Sequence, residues 1–196
     1  SEELVQRALA RIADINPRCN AIVAVDAPAA LAQARAADQA RRAGAACGPL
    51  HGLPMTVKDC FEVVGFATVN GAAQCRDHRP QQTAPAVQRL VTAGAIVIGK
   101  SNVPLYALDL QTFNDVFGTT RNPWDLDRTP GGSSGGAAVA LATGMVPLEI
   151  GTELAGSLRI PAHFTGICSL KPSFGVVPTT GALGPVPGDR RRPDLV

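Results

Sequence analysis

The sequence predicts an α/β fold, and two observations carry the prediction. Segments with strand signals alternate with segments of helical periodicity along the chain. Two glycine-rich turns, Pro130-Gly131-Gly132-Ser133-Ser134-Gly135-Gly136 and Gly151-Thr152-Glu153-Leu154-Ala155-Gly156-Ser157-Leu158-Arg159, fall where those strands and helices end. Open α/β sheets bind their ligands at such ends, so a site is expected there.

The elements follow in order. Ser1 is placed to cap a helix in which Leu4, Ala8, Ile12 and Ile15 recur at helical spacing, with Glu2 and Glu3 in the first turn, where the helix dipole favours acids. That helix is expected to end before Asn16-Pro17. Residues 21–25 form a short β-type run, after which Asp26 can cap a helix that Pro28 helps to open and the alanine-rich residues 29–43 continue. Gly48-Pro49 marks a break, and residues 53–57 read as a strand that delivers Lys58 at its end. Residues 83–93 read as a helix, 95–98 as a fully apolar strand and 99–102 as a turn. An alanine-rich helix is expected from Ser133 or Ser134 to Thr143, then a strand at 146–150 that runs directly into the second glycine turn. Pro161 helps to start one more helix, on which His163 is expected to pack or to line a pocket. From Val176 onward proline and glycine accumulate as in a loop or linker.

Composition bounds the function. A chain of 196 residues with 45% hydrophobic residues can bury a core and represents one large domain or part of one. The net charge is only +2, and the basic residues are scattered except for Arg190-Arg191-Arg192, a solvated tail, so neither nucleic acid nor an anionic membrane is an expected partner. Five cysteines, Cys19, Cys47, Cys60, Cys75 and Cys168, are widely spaced and show no CxxC pairing, which points to free thiols. The acidic residues show no metal-ligand spacing, so neither a metal nor a cofactor is expected. No apolar stretch approaches the roughly 20 residues that span a bilayer, and the expected location is cytoplasmic.

The chemistry lies in three serines and a distant lysine. Glycine lacks the Cβ that blocks sharp turns and close approach, so the two turns let hydroxyls and backbone N–H groups converge on one substrate atom. The first turn lacks the Gly-Lys-Ser/Thr ending of a phosphate-binding loop, and Ala155-Gly156-Ser157-Leu158-Arg159 is not a Gly-x-Ser-x-Gly elbow. His51, His78 and His163 are the candidates for Ser–His chemistry, and His163 follows Ser157 by six residues.

Gly-Gly-Ser-Ser-Gly-Gly at 131–136, Gly-Thr-Glu-Leu-Ala-Gly-Ser-Leu-Arg-Ile-Pro-Ala at 151–162, Thr56-Val57-Lys58-Asp59 and the linking stretches at 111–114 and 118–124 closely resemble the amidase signature family. The resemblance runs over residues 1–188, taken as the signature core, with 189–196 as a basic tail or linker. It implies a mixed, largely parallel twisted sheet flanked by helices, here without the C-terminal half that supplies further strands and much of the pocket wall. It also implies an amidase that cleaves a carboxamide C–N bond through an acyl-enzyme. Ser157 would be the nucleophile, and Ser133, held by a cis peptide after Gly132, would pass its proton to Lys58. Lys58, Ser133 and Ser157 stand in the family order and spacing. As a base Lys58 must be neutral, which burial favours; neighbouring Asp59 points to the opposite face of a strand.

By the same resemblance the backbone N–H groups of Leu154, Ala155, Gly156 and Ser157 form the oxyanion hole, with Ser134, Thr152 and a Glu153–Arg159 pair in support. The sequence departs from the commonest pattern at Glu153, where Asp is usual, and at Ala155, where Gly is usual. Alanine fits poorly if that turn needs positive φ at 155. The expected partners are a small-molecule amide and either a second copy of the chain or a complementary C-terminal chain. Two other readings compete: a truncated, non-catalytic remnant or binding module that needs a partner chain, and a glutaminase component of the amidotransferase A type.

Overall fold

A computed structural model of the chain describes residues 1–184. The expected core boundary at 188, the tail at 189–196 and the Arg190-Arg191-Arg192 triplet therefore lie outside the described residues.

Helix α1 (Glu2–Cys19) buries a stripe of Val5, Ala8, Ile12, Ile15 and Cys19. This shifts the expected stripe at one position, because Leu4 is half exposed and Val5 is the buried residue. The Ser1 hydroxyl makes no capping bond; the Glu2 N–H donates instead to the Asp38 carboxylate. The helix also continues through Pro17. Pro17 lies on the exposed face, where water can serve the carbonyl that loses its donor. Asn16 secures the exit, because its carboxamide accepts from the Ala21 and Ile22 N–H groups and donates to the Ile22 carbonyl, each at 2.8 Å.

Strand β1 (Ile22–Val25) leads to α2 (Ala27–Arg42), whose N-terminus Asp26 caps by accepting from the Ala29 N–H at 3.0 Å. Then follow β2 (Pro54–Lys58), α3 (Pro85–Thr92) and β3 (Ile96–Ser101). The expected turn at 99–102 is corrected: Gly99, Lys100 and Ser101 continue the strand. Gly99 is needed there for close approach, since a Cβ on it would lie 2.3 Å from the Ala24 carbonyl oxygen of β1. A short hairpin, β4 (Phe113–Asn114) and β5 (Gly118–Thr119), precedes α4 (Gly135–Ala142), β6 (Leu148–Ile150) and α5 (Arg159–Thr165).

The sheet order is β1-β3-β2-β6, with β1 antiparallel to β3 and the other two pairings parallel. This is the mixed, largely parallel α/β sheet expected. One face packs Ile96 and Ile98 against α1, α2 and α4; the other packs Met55, Val57 and Val97 against α3 and the Cys60–Val63 segment. Each fully buried aliphatic side chain contributes roughly 1.5–3 kcal/mol. Alternation along β2 therefore sends Thr56 and Lys58 toward the α4 face, away from Val57. Strand β6 is an edge of this sheet; Leu170, which lines a cavity with Leu148, Glu149 and Ile150 of β6, is exposed, as are Phe174 and Val176.

Candidate active site

Lys58 ends β2 and is wholly buried. Its amine meets the start of α4, where Thr112 holds the first serine turn: the Thr112 Oγ1 donates to the Gly131 carbonyl at 2.9 Å and accepts from the Gly135 N–H at 3.1 Å. The Gly132–Ser133 peptide is cis. Helix α4 begins at Gly135, after both serines. Ser134 occupies the cap position without making a cap bond, because its hydroxyl is engaged elsewhere.

The Lys58 Nζ donates to Ser133 Oγ at 2.7 Å, to Ser134 Oγ at 2.8 Å and to Thr152 Oγ1 at 2.8 Å, with the Thr152 carbonyl at 3.4 Å. Burial pushes the lysine down from 10.5 to about 8, against the upward pull of Cys60, Glu149 and Glu153. The three hydroxyls are not equivalent. Ser134 directs its own hydrogen to the Thr152 carbonyl at 3.3 Å, so toward Lys58 it can only accept. Ser133 Oγ has no other hydrogen-bond partner among the described residues, so its hydrogen is free to turn toward a neutral Lys58.

Ser157 is buried and lines, with Ser133, Thr152, Cys60, Leu154, Tyr106 and Leu183, a cavity of about 50 Å³. Among the described residues no hydrogen bond joins the Ser157 and Ser133 hydroxyls. The Ser157 carbonyl accepts from the Ser134 N–H at 3.1 Å, which ties the two turns together. The backbone N–H groups of Leu154, Ala155, Gly156 and Ser157 donate to no acceptor among the described residues. Of these four residues, Leu154 and Ser157 line the cavity.

Positive φ in this turn occurs at Gly156, at 110°, and not at Ala155. The alanine therefore sits where it carries no left-handed strain. Glu153 reaches Arg159 Nε at 2.7 Å with one oxygen and accepts from the Leu158 and Arg159 N–H groups at 3.0 and 3.1 Å with the other. Burial would push this carboxyl up, but the Arg159 guanidinium and the two N–H groups outweigh it and hold it below the usual range.

Several polar residues at or near the site escaped the sequence reading. Lys100 is buried and donates to Asp59 Oδ1 at 2.9 Å and to the Phe61 carbonyl at 3.0 Å, while Asp59 Oδ2 accepts from the Val69 and Asn70 N–H groups. Asp59 is thus consumed by Lys100 on the face opposite Lys58. A charged residue at the end of an apolar strand was the available signal. Thr56 donates to Glu149 Oε1 at 2.6 Å, and Cys60 contacts Thr152 Oγ1 at 3.8 Å; neither had a signal in sequence spacing. His51 contacts the Ala37 carbonyl and His78 contacts Glu62, both away from the serines. His163 is exposed beside Phe164, which corrects the expectation that it packs or lines a pocket. All five cysteines are free. Among the described residues no group of side chains is arranged to hold a metal, and no helix is long and apolar enough to cross a membrane.

A family model described as Amidase matches residues 3–190. The chain is 46% identical over 183 residues to the A-type subunit of the glutamyl-tRNA(Gln) amidotransferase of Roseiflexus castenholzii, covering 93% of this chain and 37% of that protein. It is 45% identical to the same-named protein from Halorhodospira halophila, covering 93% and 38%. Among solved structures, a peptide amidase bound to the competitive inhibitor chymostatin superposes with a TM-score of 0.87 at 38% identity, covering 92% of this chain and 38% of that one. The corresponding glutamyl-tRNA(Gln) amidotransferase protein from Thermotoga maritima superposes with a TM-score of 0.79 at 31% identity, covering 92% and 37%. The chain thus spans little more than a third of the length of the curated relatives it matches.

Proposed function

The chain belongs to the amidase signature family, and from that premise we propose that it carries the catalytic core of a serine amidohydrolase, with Ser157 as nucleophile and Ser133 and Lys58 as the proton relay. The observation that supports this reading is the buried Lys58 amine, lowered to about 8 and bonded to Ser133 at 2.7 Å, beside the N–H groups of the 154–157 turn, which have no acceptor among the described residues. An ordinary lysine is almost wholly protonated at neutral pH; one titrating near 8 has about a tenth of its population as free base at pH 7.

In the proposed cycle a neutral Lys58 accepts the Ser133 proton while Ser133 accepts that of Ser157, and the Ser157 oxygen forms a bond to the carboxamide carbon. The carbonyl oxygen takes up the negative charge and is held by the N–H groups of the 154–157 turn. Collapse breaks the C–N bond, and the proton on Lys58 returns through Ser133 to the departing nitrogen, which leaves as ammonia or an amine. Water then attacks the ester on Ser157, gives its proton to the same relay, and the carboxylate departs. Glu153 and Arg159 hold the turn, since the carboxylate bonds the N–H groups of Leu158 and Arg159 directly after the nucleophile.

A second reading is supported by the amidotransferase relatives: the same chemistry applied to glutamine, with ammonia passed to a partner protein. The edge position of β6 and the exposed Leu170, Phe174 and Val176 favour a covering polypeptide in either reading. A non-catalytic remnant is the remaining alternative.

The test is covalent labelling of the purified chain by a fluorophosphonate, read by intact mass beside its Ser157→Ala variant. Labelling of the parent and not of the variant is expected. A folded parent that stays unlabelled refutes the assembled nucleophile and favours the remnant. Release of ammonia from glutamine, compared with other carboxamides, separates the first two readings.

A further inference from the structure

Behind the serine site a second buried polar group has no role in the proposed cycle. Glu149 on β6 is paired with Thr56 on β2, one side-chain step before Lys58 on the same face. Its Oε1 accepts from Thr56 Oγ1 at 2.6 Å. Among the described residues its Oε2 is buried without a hydrogen-bond partner, and so is the hydroxyl of Ser101, which is paired with Lys58 across β2 and β3. Two orphaned polar atoms, one a carboxyl oxygen, beside a buried amine are costly to keep unless they serve the amine.

We propose that Glu149, held by Thr56, is a positioning residue that sets the protonation state of the Lys58 amine and thereby the pH range in which Ser157 is activated. The inference rests on the relay role of Lys58 proposed above.

The surroundings leave few other groups to do this. Helix α4, which covers this face, brings Ala137, Ala138 and Leu141 and no titratable group. β3 brings Ser101, while Lys100 and Asp59 pair with each other on the opposite face. Cys60 is a buried thiol pushed up by desolvation, Glu153 is taken up by Arg159, and Cys168 and Lys171 line the same cavity as Glu149. Among the described residues Glu149 is therefore the carboxyl near Lys58 that is buried and not already paired with a cation.

Its charge is also free to change in the right range. Burial pushes the carboxyl up to about 7, against the Thr56 hydroxyl, the Ser101 hydroxyl, the Ile150 N–H and the Lys58 charge. Ser101 lies near enough to favour the carboxylate but outside hydrogen-bond geometry. An ionised Glu149 holds a proton on Lys58; a neutral Glu149 lets the amine become a free base at lower pH.

The chain has three lysines, Lys58, Lys100 and Lys171, so the Cε resonances of a ¹³C-lysine-labelled sample report the Lys58 titration directly. In Glu149→Gln its midpoint is expected to fall by about one pH unit, and the acid limb of fluorophosphonate labelling to move down with it. Thr56→Val, which withdraws the hydroxyl favouring the carboxylate, shifts both in the same direction by less and decides the matter if Glu149→Gln does not fold. A Lys58 midpoint unchanged in the folded variants overturns the proposal. A parent chain that takes no label overturns the Ser157 reading alone, and the lysine titration still decides the role of Glu149.

Discussion

Replacing Lys58 with methionine should make the fold more stable at neutral pH while abolishing labelling of Ser157, and the structure gives the size of the effect. The folded-state value of Lys58 lies near 8, below its ordinary 10.5. A base with a lowered folded value binds fewer protons folded than unfolded, so its destabilisation is fully present below the folded value and vanishes as pH rises through the unfolded one. The difference, 10.5 minus 8, corresponds to about 3 kcal/mol. Methionine of similar length removes this penalty, but it deprives Ser133 Oγ and Thr152 Oγ1 of their partner, at about 1 kcal/mol each; Ser134 keeps the Thr152 carbonyl. The net expectation is a variant more stable by about 1 kcal/mol at pH 7, an increase of about 2–4 °C in Tm for a chain of this size. Near pH 10.5 the sign reverses, and the variant is less stable by about 2 kcal/mol. Urea unfolding of parent and Lys58→Met across pH 7–10.5 measures this, because titrating groups that do not interact with Lys58 cancel in the difference. A stability difference that stays constant over that window refutes the reasoning, since it means that Lys58 titrates in the fold as it does in water.

Two further substitutions probe the frame around the amine. Asp59→Ala leaves the buried Lys100 ammonium without its carboxylate, and its urea midpoint should report a loss of about 3–5 kcal/mol; a loss below about 1 kcal/mol would show that the ammonium is rehydrated or neutral. Gly156→Ala places a Cβ 2.6 Å from Ile160 Cδ1 at a φ of 110°, so it should destabilise by about 1–3 kcal/mol and slow Ser157 labelling. Ala155→Gly, where φ is not positive, should leave the labelling rate unchanged, and a faster rate would contradict the geometry of the turn.

Much of the fold follows from local pattern. The α2 boundaries, with Asp26 as cap and Pro28 in the first turn, need nothing beyond neighbouring residues, because capping and proline restriction act within one turn. The strands carrying Lys58 and the second glycine turn are equally local. The readings that failed involve contacts between distant segments. Gly99 reads as a turn residue in isolation, yet it is the point where β3 passes close to the β1 backbone. The helix expected from Ser133 or Ser134 begins only at Gly135, and the Ser134 hydroxyl is drawn to Lys58 and Thr152.

By itself the sequence determined the alternation of strands and helices and the glycine turns that admit close approach, since each is a matter of residue type and short spacing, while the lysine and serines were singled out by resemblance to the family. Only the tertiary structure decided that Lys58 is buried, that Asp59 belongs to Lys100, that Gly156 rather than Ala155 bears the positive φ, and that Glu149 stands behind the amine. These are properties of charge and conformation set by desolvation and by groups delivered from separate strands, and a protonation state or a backbone strain is fixed only once those strands are in register.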